Sequence, residues 1–324
     1  MSELRSSRGG ELEVVAEGAV GRIAASIIVP FHNSEEWIRQ CIDSLLNQDF
    51  PPSQYEIIMI DNNSADGSRV IAEEHPKIRL LTETRHGPYA ARNLGVRAAR
   101  GTVLVFTDPD CTADPGWLGR IMSELEDPAV SVVLGSRRPP QGNKTVECLF
   151  DYDDAKIEHI CESSDPTAYF GYANNMAIRR DVWEQCGPFH EFERGSDTIL
   201  VRTIVDRHSC SAVHYLPSAT VEHCEVTSLL EYSRKMFVYG RSYQRYSKVI
   251  SARSLGLGER MMVVRKLAKR SPRPRLAVAQ LVGNLSLGYA GWLLGRCAGG
   301  FASWRTRVTL PRWLRTAKTS RLRM

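Results

Sequence analysis

The sequence predicts an α/β fold, a mostly parallel sheet with helices on both faces, followed by a helical basic C-terminal extension. Three observations predict it. Short β-branched apolar runs of strand length alternate with amphipathic segments of helical spacing from about residue 25 to residue 216. Cap and turn residues stand at the joins. Charge divides the chain: residues 1–224 hold 21 Lys+Arg against 34 Asp+Glu (net −13), whereas residues 225–324 hold 21 against 3 (net +18). The expected organisation is an N-terminal tail over 1–24, an α/β domain over 25–225 and a basic, partly apolar helical region over 226–324. At 43% hydrophobic and 24% charged residues, the composition of the 324-residue chain excludes a disordered or collagen-like protein.

SIIVPF (26–31) and EIIMI (56–60) are apolar runs bounded by turn residues, as expected of strands buried on both faces. Between them Trp37, Ile38, Cys41, Ile42, Leu45 and Leu46 recur at helical spacing, with Asn33 and Glu36 placed as a capping pair. The alternation continues through a helix near 66–75, a strand at 78–82, a helix from Pro88 to Arg100 closed by Gly101, and a strand at 102–107. Asp114 and Pro115 have the chemistry of an N-cap and first helical position, and VSVVLGS supplies another strand at 130–136. From Arg137 to about Phe170 the pattern is irregular. Helices at 181–186 and 196–208 and a short strand near 212–216 follow. Such a sheet places its ligand site at the carboxyl ends of the strands.

The eight cysteines are scattered, without CxxC pairs or a framework spacing, and read as free thiols of a reducing compartment. Cys210, His214, His223 and Cys224 match no zinc-ligand spacing. The N-terminal residues mix acids and bases without an apolar core of signal-peptide length, so export by that route is not expected.

Asp108-Pro109-Asp110 closes the strand at 102–107. In extended chain the side chains at i and i+2 face one way, and Pro109 biases Asp108 towards that conformation. Two carboxylates so placed either share a cation such as Mg²⁺ or Mn²⁺ or serve a turn and a cap. Asp61-Asn62-Asn63-Ser64 follows the second strand, at the same edge of the sheet, and Gly87-Pro88 opens a helix whose free N–H groups favour anionic oxygens.

SIIVPFHNSEEWIRQCIDSLLNQDF, EIIMIDNNSADGS, HGPYAARNLGVRAARG, VLVFTDPDCTADPGWL, NNMAIRRDVWEQCGPF and SDTILVRTIVD occur in an order and spacing that resemble family 2 glycosyltransferases, inverting enzymes of the Rossmann-like GT-A fold. The resemblance covers about residues 25–225. It implies a nucleoside diphosphate sugar donor, a Mn²⁺ or Mg²⁺ cofactor and a glycan or lipid-linked acceptor. Pro30 and Phe31 then lie beside the nucleotide, Asp61 contacts the base or ribose, and Arg92 belongs to the nucleotide pocket. Asp108 and Asp110 match the DxD motif, His223 resembles the histidine that completes the metal site in some members, and Asp197 matches the catalytic base. Where the family commonly has Glu-Asp, this chain has Ser196-Asp197; Glu191 and Glu193 are alternative bases in a shifted register. The departure also raises the alternative of a nucleotide-sugar-binding protein without catalysis. A dinucleotide-dependent oxidoreductase ranks lower, because GxGxxG is missing after the first strand.

In the basic region, RKLAKRSPRPR (265–275) precedes an uncharged run at 276–295, and Trp304, Arg305, Arg307, Trp313 and Arg315 follow. Gln280, Asn284 and four glycines dilute that run, and bases flank both of its ends. The pattern favours an anionic membrane surface, at the cytoplasmic face of a membrane, over a helical tail packed on the catalytic domain and over nucleic acid as partner.

Overall fold

The computed structural model describes residues 23–191, 194–250, 253–269 and 274–309. The expectations for the tail up to residue 22, for Glu193, and for Trp313 and Arg315 lie outside these residues. Four strands, β1 (Ala25–Phe31), β2 (Tyr55–Asp61), β3 (Ile78–Thr82) and β4 (Val103–Thr107), form the parallel half of one sheet in the order β3-β2-β1-β4. The sheet continues from β4 through β7 (Asn175–Arg179), β6 (Val132–Arg138) and β8 (Val213–His223) to the short β5 (Cys111–Ala113). β7 runs antiparallel to both β4 and β6, and β5 antiparallel to β8, while β6 and β8 are parallel. The expected mostly parallel α/β architecture is present, with one reversed strand in its middle.

The period of two along the strands explains why both faces are covered. Ile28, Ile58, Ile60, Leu104 and Phe106 pack on one side with α3 (Pro88–Ala98), α5 (Lys144–Ser163), α6 (Arg180–Cys186) and α7 (Ser196–Arg207). Ile27, Val29, Ile57, Met59 and Val105 pack on the other with α1 (Ile38–Leu46), α2 (Ser68–Glu73) and α4 (Trp117–Glu124). Buried amides hold the reversed strand. The Asn175 side chain accepts from Trp117 Nε1 at 2.9 Å and donates to the Ser136 and Ala219 carbonyls at 2.7 and 2.9 Å.

Several expectations require correction. The stretch from 137 to 170, expected to be irregular, contains the 20-residue helix α5, capped by the Asn143 side chain. α1 begins at Ile38, and Asn33 does not cap it: Asn33 has φ 49° and accepts the Ala65 N–H at 2.8 Å, tying two strand-end loops together. α4 starts at Trp117, later than Pro115, because the Trp117 N–H donates to the Asp114 carbonyl in a preceding turn. The last strand runs on to His223.

The basic region forms α8 (Leu229–Tyr246), α9 (Leu257–Ala268) and α10 (Pro274–Thr309). Val263, Val264 and Leu281 are buried in the same core as α5, so these helices pack onto the α/β part. No helix among the described residues is long and apolar enough to cross a membrane, which includes the uncharged run at 276–295 within α10.

Candidate active site

A cavity of about 730 Å³ opens at the carboxyl ends of the parallel strands. Its volume lies in the range of small-molecule sites. Pro30 and Phe31, at the end of β1, line it together with Arg92, Asp108, Asp110, Asp197 and His223. Thus eight sequence positions singled out for chemistry reduce to seven that meet in one cavity. Asp61 is the exception. It is 4% exposed, Oδ1 accepts the Ser64 N–H at 2.9 Å, Oδ2 pairs with Arg69 at 3.3 Å, and the cavity is lined by its neighbour Asn62 instead.

Asn62 has a positioning role that the sequence did not single out. Its side chain donates to the Glu83 and Arg85 carbonyls at 2.8 and 2.7 Å and accepts the Gly87 N–H at 2.8 Å. Gly87 sits at φ 120°, open to glycine and strained for other residues. The staple fixes the start of α3, so Tyr89 and Arg92 face the cavity. Arg92, 4% exposed, lies 5.3 Å from the Tyr89 ring centroid and forms an ion pair with the Asp108 carboxylate.

Asp110 and His223 approach across the β5/β8 edge, with His223 Nε2 3.3 Å from Asp110 Oδ2. Burial, with the Asp108 charge alongside, pushes the Asp110 carboxyl up to about 7. Burial and then the Lys235, Arg137 and Arg194 cations hold the His223 imidazole well below its ordinary range, so the ring is neutral. His223 Nδ1 is buried without a hydrogen-bond partner. Ligand atoms of Asp110, Cys111 and His223 lie within 4.8 Å of one another, the one such group among the described residues. Asp108, the other acid expected at the metal, is not in that group. A buried carboxylate beside a neutral imidazole, with a second acid next to it, is a donor set suited to a divalent cation of intermediate hardness. Lys235, reaching in from α8, places Nζ 3.1 Å from His223 Nε2 and 2.6 Å from Glu225. Lys235 and Glu225 are further cavity residues that the sequence left unmarked, the lysine being one among many in a basic region. The four residues considered and rejected as a zinc set do not assemble: His214 bonds Glu124 at 2.7 Å and Cys210 donates to the Ser164 carbonyl.

Asp197 stands in the first turn of α7, after Gly195 at φ 95°. Its oxygens accept the Thr198 and Ala173 N–H groups at 2.9 and 3.2 Å. Burial raises its carboxyl above the ordinary carboxylate range despite those donors and the nearby Arg92. Ser196 is fully buried and its Oγ has no partner. Of the alternative bases, Glu191 is tied to Arg85 at 2.8 Å and does not line the cavity.

Residues 26–184 match the family model for glycosyl transferase family 2. They belong to that family. The chain is 30% identical over 171 residues to glycosyltransferase AglE of Haloferax volcanii, covering 51% of this chain and 55% of that one. It is 39% identical over 174 residues to the uncharacterized glycosyltransferase EpsJ of Bacillus subtilis, covering 49% of each. The chain thus spans about half the length of these curated relatives. The fold of the family 2 domain and its flanking helices is similar to that of the mannosyltransferase PcManGT from Pyrobaculum calidifontis, solved with GDP-Man and Mn²⁺ (TM-score 0.56, 22% identity, 94% of this chain and 86% of that one). It also resembles glucosyl-3-phosphoglycerate synthase from Mycobacterium tuberculosis, solved with Mn²⁺, UDP-glucose and phosphoglyceric acid (TM-score 0.50, 19% identity, 69% and 79%). These likenesses establish the GT-A fold.

Proposed function

We propose that this chain is a metal-dependent inverting glycosyltransferase that moves a sugar from a nucleoside diphosphate sugar to an acceptor hydroxyl, in the synthesis of a surface polysaccharide or glycolipid. The observation that carries the proposal is the meeting of Asp108, Asp110 and His223 with Asp197 in one cavity of a family 2 domain. Asp110 and His223, with Asp108 beside them, are the residues to hold Mn²⁺ or Mg²⁺. When bound, the cation would stabilise charge on the departing diphosphate, as an acid catalyst otherwise must.

The remaining chemistry belongs to the chain. Arg92 holds Asp108 in place and adds positive charge beside the diphosphate. Pro30 and Phe31 give the nucleotide an apolar wall. Asp197 takes the proton of the acceptor hydroxyl as its oxygen bonds to the anomeric carbon. The bond from that carbon to the diphosphate breaks, its electron pair leaves with the nucleoside diphosphate, and attack from the opposite side inverts the centre. Two backbone N–H groups aim the Asp197 carboxylate, and its raised pKa brings it towards the working range of a general base.

A screen of nucleotide sugars, with Mn²⁺ and with chelator, tests the proposal. One donor should raise the melting temperature and be consumed only when metal is present. Donor binding without consumption would favour the second reading, a binding protein without catalysis, for which the buried, unpartnered Ser196 hydroxyl in place of a family carboxylate is the warrant.

We also propose that α8–α10 rest on an anionic membrane surface at the cytoplasmic face. Leu230, Leu257, Met262, Leu287 and Leu294 are all more than half exposed on these basic helices, a combination that suits a lipid interface. Flotation of the full chain with phosphatidylglycerol vesicles, compared with phosphatidylcholine alone, tests this; equal flotation would reject it.

A further inference from the structure

The cavity extends beyond the residues assigned so far, onto α5, α9 and α10. On that side two guanidinium groups stand without a carboxylate within 4.0 Å among the described residues. Arg137, at the end of β6, lies 3.9 Å over the Tyr172 ring, and its Nε is buried without a partner. Arg260, on α9, lies 5.7 Å from the Tyr289 ring centroid, and its Nε donates to the Leu255 carbonyl. Arg194, just before α7, is a further cavity guanidinium without an ion pair among the described residues, near Asp108 and Asp197; the other neighbouring cations differ. Arg92 is paired with Asp108, Lys156 with Asp153, Lys235 with Glu225, and Arg253 with Asp165. A half-buried guanidinium without a direct ion-pair partner recovers only part of the solvation it gives up. Its planar fork of donors matches a phosphate group. Beside Arg260, Tyr289 and Trp292 stack with ring centroids 5.7 Å apart and planes 17° apart, giving an apolar platform at the same wall.

We infer that this wall is the acceptor site and that the acceptor carries a phosphate or diphosphate ester, bound by Arg137 and Arg260, with its apolar or sugar portion against Tyr289 and Trp292. The inference rests on the transfer reaction proposed above. Asp153 and Asp154 act on Arg137 only from beyond ion-pair distance, so a neutral glycan would leave neither guanidinium with a direct anionic partner. Donor diphosphate is met by Arg92 and the Asp110–His223 pair; Arg137, close enough to His223 for its charge to act on that ring, stands between the two subsites, whereas Arg260 reaches the cavity from α9, among Tyr152, Leu255 and Tyr289.

The test uses the full chain with metal removed by EDTA, so that no cation can bridge a phosphate to Asp110. Glycerol 3-phosphate is titrated by calorimetry. Phosphatidylcholine vesicles carrying undecaprenyl phosphate are compared with plain and with phosphatidylglycerol-containing vesicles. Binding of the soluble ester, or of undecaprenyl phosphate beyond the phosphatidylglycerol control, is expected; the two arms separate a soluble from a lipid-borne phosphate. Arg137→Gln and Arg260→Gln should each weaken it about tenfold. Arg260→Lys should restore part of it, with thermal melts checking the fold and, in the Arg260 variants, binding of UDP or GDP with Mn²⁺ unchanged. No binding of either probe, equal binding by parent and variants, or parallel loss of nucleotide and phosphate binding in the Arg260 variants would overturn the inference. Failure of the parent to bind any nucleotide would instead retire the transfer reaction, and the phosphate titration would still decide the anion site.

Discussion

The two walls of the cavity are built on opposite terms. The strand-end wall, from β1, β2 and β4, presents acids and loops stapled by Asn33 and Asn62, and its chain segments belong to the net −13 part of the sequence. The helical wall, from α8, α9 and α10, belongs to the net +18 part and presents basic and aromatic side chains. Charge that looks like a division between separate partners is, in the fold, complementarity across one space: Lys235 of α8 reaches to His223 and Glu225 beside Asp110. The acidic wall suits a cation and chemistry, the basic wall suits binding of an anion. Substitutions on the two walls should therefore separate turnover from affinity.

The largest effect is expected from Asp197→Asn. Removing a general base should lower kcat by about 10³-fold, with the donor affinity, measured by calorimetry, unchanged. Asp110→Ala and His223→Ala come next. Each should weaken Mn²⁺ binding by about 100-fold, read from the paramagnetic resonance of free and bound Mn²⁺. Gly101→Ala probes the scaffold alone. A Cβ there would lie 2.6 Å from the backbone of Ala25 and Ser26, so stability should fall by about 1–3 kcal/mol in denaturant unfolding, with activity per folded molecule kept.

A pH dependence completes the series. A folded-state carboxyl raised from 3.8 to about 7 binds more protons than the unfolded chain between those values, so metal-free stability should fall as pH rises through that window. Added Mn²⁺ should oppose the fall, because it binds the ionised form. Asp110→Asn should flatten the metal-free slope, measured by thermal melts across that window.

The acidic wall was largely legible in the sequence because its signals are local. Continuous apolar strand runs, the Gly87-Pro88 helix start and the Asp108-Pro109-Asp110 ending each lie within a few residues, and the structure brings them to one cavity edge. The basic wall was not, because it is made by contacts between segments far apart. Nothing near Lys235 points to Asp110, and the pairing of Arg260 with Tyr289 depends on how α9 meets α10. α5 was missed for a different reason. Val146, Leu149, Tyr152, Ile157 and Ile160 are buried at helical spacing, but Glu147, Asp151, Asp153, Asp154 and Glu158 interrupt the apolar pattern. Asp61 shows what the sequence leaves out: the acid at the expected strand end bonds Ser64 and Arg69, and its neighbour Asn62 lines the cavity.

The most direct test of the central claim is Mn²⁺ resonance during titration with a nucleoside diphosphate, comparing the parent chain with Asp110→Ala. One bound Mn²⁺ is expected, with an affinity that rises when UDP or GDP is present and that is lost in the variant. Mn²⁺ binding that ignores both the nucleotide and the substitution would contradict it.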